Sequence, residues 1–81
     1  MGNGILRQNI DSATSIIIQG SPNCFVDGAG VVRIGDLETS GDHMVQGSST
    51  VFCNGIPVCR AGDIDTNGQP GHDGSTDVTA G

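Results

Sequence analysis

Residues 19–36 read QGSPNCFVDGAGVVRIGD and residues 46–63 read QGSSTVFCNGIPVCRAGD; laid over each other without a gap, at an offset of 27 residues, they agree at nine of eighteen positions. The shared residues are Gln, Gly, Ser, Phe, Gly, Val, Arg, Gly and Asp, which form turns and strands. Repetition at such a period marks units that bury a face only by stacking on their neighbours. No catalytic constellation is among the retained residues, so the repeat reads as structural.

Each copy divides into two β-type runs, residues 23–26 and 31–34 in the first copy, 50–53 and 58–61 in the second. Asp27-Gly28 and Asn54-Gly55 lie between them, and these dipeptides tolerate the positive φ of tight hairpin turns. Each copy is therefore predicted to be a hairpin, with Gly30 and Pro57 following the turn and Arg-x-Gly-Asp ending the second run. The flanks hold fragments of the same unit. Asn3-Gly4-Ile5 echoes Asn54-Gly55-Ile56, residues 7–11 echo 60–63 with one residue more, and residues 78–81 take the place of 17–20 and 44–47. Two full units and two partial ones predict a single domain, residues 1–81, with a pseudo-threefold body whose ends meet.

Composition agrees. Gly is 14 of 81 residues without a Gly-X-Y period, and Phe25 and Phe52 are the only aromatics, which predicts many short strands around a thin core of Val, Ile and Phe. A chain of this length has little room for a catalytic pocket. Net charge is −6, with three Arg and no Lys, which excludes nucleic-acid binding and attraction to an anionic membrane surface. The longest apolar run, residues 16–18, is too short for a membrane span or a signal-peptide core. A soluble protein without an export signal is expected. Cys24, Cys53 and Cys59 form an odd set without a CxxC pair and read as small buried hydrophobes, not as a disulfide framework or zinc ribbon. Cys53 and Cys59, on opposite arms of one hairpin, are close enough for contact, but two thiols are favoured over a bridge.

These residues resemble the PAAR-repeat family, whose pattern runs roughly G-S-x-x-V-F-V-N-G-x-P-A-A-R-x-G-D. Residues 47–63 are the closer copy, with Ile56-Pro57-Val58-Cys59-Arg60 at the eponymous motif; the first copy has Gly30, Val31 and Val32 in place of Pro-Ala-Ala. The resemblance implies an all-β, conical fold that caps and sharpens the homotrimeric spike of a contractile injection apparatus, in phage tails or type VI secretion systems, for membrane piercing. It implies one tip per spike trimer, transient contact with a target membrane, and a place at the virion tail tip or outside the cell as part of the apparatus. No effector domain follows the repeats in this chain, so a bare tip is expected. That, and the departure from Pro-Ala-Ala-Arg, leans towards a phage-like particle. Ser21, Phe25, Ser48 and Phe52, around the hairpins, are the candidate base for docking on the spike.

The resemblance also implies one transition metal, zinc or iron, near the apex, held by side chains of the loops after each Gly-Asp. Those loops are residues 12–15, 37–43 and 64–77. They offer two imidazoles, His43 and His72, as ligands; the usual loop cysteine has no counterpart, and Asp42, Asp73 or water would complete the shell. The acid pairs Asp36/Glu38 and Asp63/Asp65 lack the order of a calcium loop and read as turn caps or solvated acids. No active site is evident, and the protein is expected not to be an enzyme. The competing reading is a free-standing metal- or ligand-binding β-module; a hydrolase fragment lacks both clustered catalytic residues and pocket volume.

Overall fold

Three antiparallel hairpins carry the fold. The computed structural model describes residues 3–80, and these contain no helix; their strands are β1 (Asn3–Gly4), β2 (Phe25–Val26), β3 (Ala29–Gly30), β4 (Phe52–Cys53), β5 (Ile56–Pro57) and β6 (Thr79–Ala80). β2 pairs with β3 and β4 with β5 across Asp27-Gly28 and Asn54-Gly55. Both turns have positive φ at both central residues, 54° and then 78°, the conformation that matches the twist of the strands they join. The third hairpin comes from the two ends of the chain, with Asn3 opposite Ala80 and Gly4 opposite Thr79.

Beyond its hairpin each segment pairs with a neighbouring unit. The Leu6 N–H donates to Cys59 O (3.0 Å), the Cys59 N–H to Val32 O (2.8 Å) and the Val32 N–H to Leu6 O (3.1 Å), which closes a ring. Bridge pairs Ile5 with Arg60, Arg7 with Val31 and Arg33 with Val58 flank it. A second ring runs from Ile18 N–H to Leu37 O, Val45 N–H to Ile64 O and His72 N–H to Ser12 O. The runs at 31–34 and 58–61 are therefore not the second arms of isolated hairpins. The arms are β3 and β5, which include Gly30 and Pro57, and the runs at 31–34 and 58–61 satisfy their backbone groups between units.

The rings also correct the register of the flanks. Ile5 occupies the place of Val31 and Val58, so Asn3-Gly4 corresponds to Ile56-Pro57, not to Asn54-Gly55. Gly74-Ser75 corresponds to Gly20-Ser21 and Gly47-Ser48, so Val78 stands where Cys24 and Val51 do, and not with the 17–20 segment.

Packing repeats in the same threes. Near the hairpins Ile5, Val31 and Val58 meet Val26, Cys53 and Ala80; one layer away Leu6, Val32 and Cys59 meet Ile17, Met44 and Ala13. Gly71 replaces Ile17 and Met44 in the third unit because Leu6 fills its space: a Cβ on Gly71 would collide with the Leu6 methyls. The resulting body measures 26 × 24 × 23 Å. Cys24 and Cys53 form a disulfide with Cα atoms 6.3 Å apart, correcting the expectation of free thiols at both positions. The bridge joins two units, not two arms of one hairpin. Cys59 is the free thiol, fully buried and donating to Gln46 O (3.1 Å). Burial, then the charges of Asp63 and Asp36, push it up and keep it protonated against the pull of Arg60.

Candidate functional site

The hairpin end presents two of the four predicted base residues. Phe25 and Phe52 occupy equivalent strand positions and are 62 % and 54 % exposed; Thr79 stands at the third position. Ser21 and Ser48 are buried. The Ser21 Oγ accepts the N–H groups of Asn23 and Cys24, and the Ser48 Oγ those of Thr50 and Val51. Ser75 does the same for Asp77 and Val78. These serines hold the turns that aim the hairpins; their side chains do not face outward.

Around the middle run three Arg–Asp pairs. Each aspartate, Asp11, Asp36 or Asp63, accepts the backbone N–H of its own arginine at 2.7–2.8 Å and also meets its guanidinium. The guanidiniums of Arg7 and Arg60 are held above their ordinary range mainly by the hydrogen bonds to Asp11 and Asp63. Arg7 additionally reaches Asp27 (3.3 Å), which also accepts the Ser75 hydroxyl. This accounts for the Arg and Asp of Arg-x-Gly-Asp: together they fix the turn into each loop.

At the opposite end the loops are tied to one another by side chains. The Ser15 N–H donates to Glu38 Oε1 (2.9 Å) and the Thr14 N–H to Asp65 Oδ2 (3.1 Å). The Ser40 N–H donates to Ser15 Oγ, the Thr66 hydroxyl to Asp42 Oδ1 and Asn67 Nδ2 to Thr14 Oγ1. Ala13, Glu38 and Asp65 are the three equivalent positions at the centre of these loops, and all three are buried. Glu38 and Asp65 are thus neither solvated acids nor mere turn caps, although Asp65 Oδ1 does accept the N–H groups of Asn67 and Gln69. The sequence gives one sign of this: both stand two residues after a capping aspartate, where the first loop has Ala13.

His43 and His72 lie in non-equivalent ranks. His43 matches Ile16 and Pro70, while His72 matches Ile18 and Val45. Both are exposed, on positions that alternate with buried Met44 and Gly71. Among the described residues no group of three or more His, Cys, Asp or Glu side chains is placed to hold a metal ion. The central rank supplies Ala, Glu and Asp, and both Asp65 oxygens already accept backbone N–H groups. This donor set does not fit the apical metal that the resemblance implies.

No curated protein matches the chain. The family model of the PAAR motif matches residues 8–70, which takes in both full repeats and all three Gly-Asp or Asn-x-Asp turns into the loops. With more than half of its length matched and the motif residues in structural roles common to all three units, the chain belongs to the PAAR motif family.

Proposed function

We propose that the chain is a structural, non-enzymatic tip that caps the blunt end of a homotrimeric spike and sharpens it for membrane piercing. The PAAR motif is associated with spike-tip proteins of contractile injection systems. The observation that carries the reading is the closed threefold ring: one chain offers three near-equivalent hairpins at one end, the arrangement needed to match three identical subunits with a single copy. Phe25 and Phe52 supply exposed apolar contacts there, and the short strand edges can continue the sheets of a β-helical partner. A place at the tail tip or outside the cell belongs to the same proposal.

The test is co-expression with a homotrimeric spike protein of a contractile injection system, followed by size-exclusion chromatography with mass determination. One tip per trimer is expected, and a Phe25→Asp/Phe52→Asp variant should lose co-elution. Its own melting temperature should stay nearly constant, since exposed positions away from special features shift stability by roughly 0.5 kcal/mol or less. A monomer that ignores the spike sinks the proposal in favour of a free-standing β-module.

A further inference from the structure

Two buried carboxyl groups stand at the centre of the loop end. Glu38 and Asp65 are each 1 % exposed, come from different loops, and accept the adjacent N–H groups of Ser15 (2.9 Å) and Thr14 (3.1 Å), which brings the two carboxyl groups together. Their satisfaction is unequal. Asp65 accepts three backbone N–H groups and the Thr14 hydroxyl, a set of donors suited to an ionised carboxylate. Glu38 accepts one, from Ser15 on Oε1, and its Oε2 is buried with no donor at all. A buried oxygen facing another carboxyl is satisfied only if one of the two carries a proton.

The surrounding charges agree. Asp65 and Asp42 are the charged groups that act on Glu38, and Glu38 acts on Asp65; all three are acids. The arginines are engaged elsewhere with Asp11, Asp27, Asp36 and Asp63, and His43 and His72 stand in the exposed ranks. With no cation to balance two buried carboxylates, a proton is the counter-ion at hand. Burial, followed by Asp65 and Asp42, raises Glu38 against the opposing Ser15 N–H. Burial also works to raise Asp65, but hydrogen bonds from Thr14, Glu38 and Gln69 outweigh it and lower it to about 2.

We infer that Glu38 is protonated in the folded protein and donates from Oε2 to Asp65, so that a shared proton, not a metal ion, locks the three loops together. The inference goes beyond the capping role and holds whether or not the chain sits on a spike. Its sign is fixed by linkage. A raised Glu38 contributes stability that is full below its unfolded value near ~4.3 and is lost as pH climbs through its folded value; the lowered Asp65 contributes stability present above ~3.9 and lost as pH falls towards 2. The lock is therefore strongest in mild acid.

Thermal melts of the 81-residue chain from pH 4 to 9 test this, with and without EDTA and with stoichiometric Zn²⁺ or Mn²⁺. The wild type should lose on the order of 5 °C or more across that range relative to Glu38→Gln, whose amide donates to Asp65 at every pH. Neither chelator nor metal should move either curve. Infrared spectra of the unmutated protein followed from pH 4 upward should show a protonated-carboxyl carbonyl band that outlasts that of the unfolded chain and is absent in Glu38→Gln, which keeps the test decisive if the variant folds poorly. Parallel pH curves for the two proteins, no carbonyl band, or a metal-dependent rise in the wild type lost in Glu38→Gln would each overturn the inference.

Discussion

Ser75 illustrates how much a small buried side chain does here. Its Oγ accepts two backbone N–H groups, from Asp77 and Val78, and donates to Asp27, so Ser75→Ala leaves two part-buried N–H donors and a carboxylate without this partner. The expected loss is about 1–2 kcal/mol, read as a fall in Tm of roughly 5–15 °C for a domain of this size. Ser21 and Ser48 are equivalent, and the repeat made those two conspicuous only as identical letters, while Ser75 lay outside it. An identical residue in two copies is equally compatible with a shared surface or a shared internal job, and burial alone separates the two. The same holds for Glu38 and Asp65, whose sequence neighbourhood is polar while their positions face the centre of the loop cluster. Gly71 was silent for a different reason: its role is a missing side chain. Gly71→Ala should cost about 1–3 kcal/mol by overpacking Leu6, measurable by chemical denaturation, whereas Leu6→Ala in that background should recover little because the cavity it opens exceeds one methyl.

Among the elements, the hairpins were legible because Asp-Gly and Asn-Gly need nothing beyond local φ, and the observed turns have the positive φ those residues permit. Register between units was not legible. A residue shift in a strand of two leaves no hydrophobic alternation to read, so the flanking fragments aligned plausibly at the wrong offset. The disulfide was hidden by the same geometry. Cys24 and Cys53 are 29 residues apart, not the 27 of the repeat, so they occupy different positions of their units and meet only because unit two packs against unit one. The positions equivalent to Cys24 hold Val51 and Val78, and those equivalent to Cys53 hold Val26 and Ala80. Closing a loop of this length restricts the unfolded chain by about 3–4 kcal/mol. A Cys24→Val/Cys53→Ala variant, which copies the residues of the other units, is therefore expected to fold with a lower denaturant midpoint. Adding reductant should lower the wild-type midpoint by a similar amount and leave the variant unchanged.

At the scale of the whole molecule, the pseudo-threefold body with meeting ends follows from the count of units, since two copies and two fragments can close a ring only if the fragments combine. What the count does not reveal is how cooperative the closure is. Each unit's ring segment, at Leu6, Val32 or Cys59, donates to one neighbour and accepts from the other, so no pair of units has a complete ring or a complete core layer. Removing residues 76–81 takes away β6, the Val78 carbonyl that accepts from Ile5 N–H, and Ala80 from the layer near the hairpins. Opening the ring then exposes apolar residues from all three units at once, against a total stability of typically 5–15 kcal/mol for a folded domain. The truncated chain is expected to lose dispersed amide resonances and any cooperative melt, while the intact chain unfolds in one transition seen alike by circular dichroism and by amide exchange in all three units. A truncated chain that kept a sharp transition, or an intact one whose third unit exchanged independently, would show that the two full repeats fold without closure. The stiffness that the proposed tip role calls for would then have to come from a bound spike instead of from the ring.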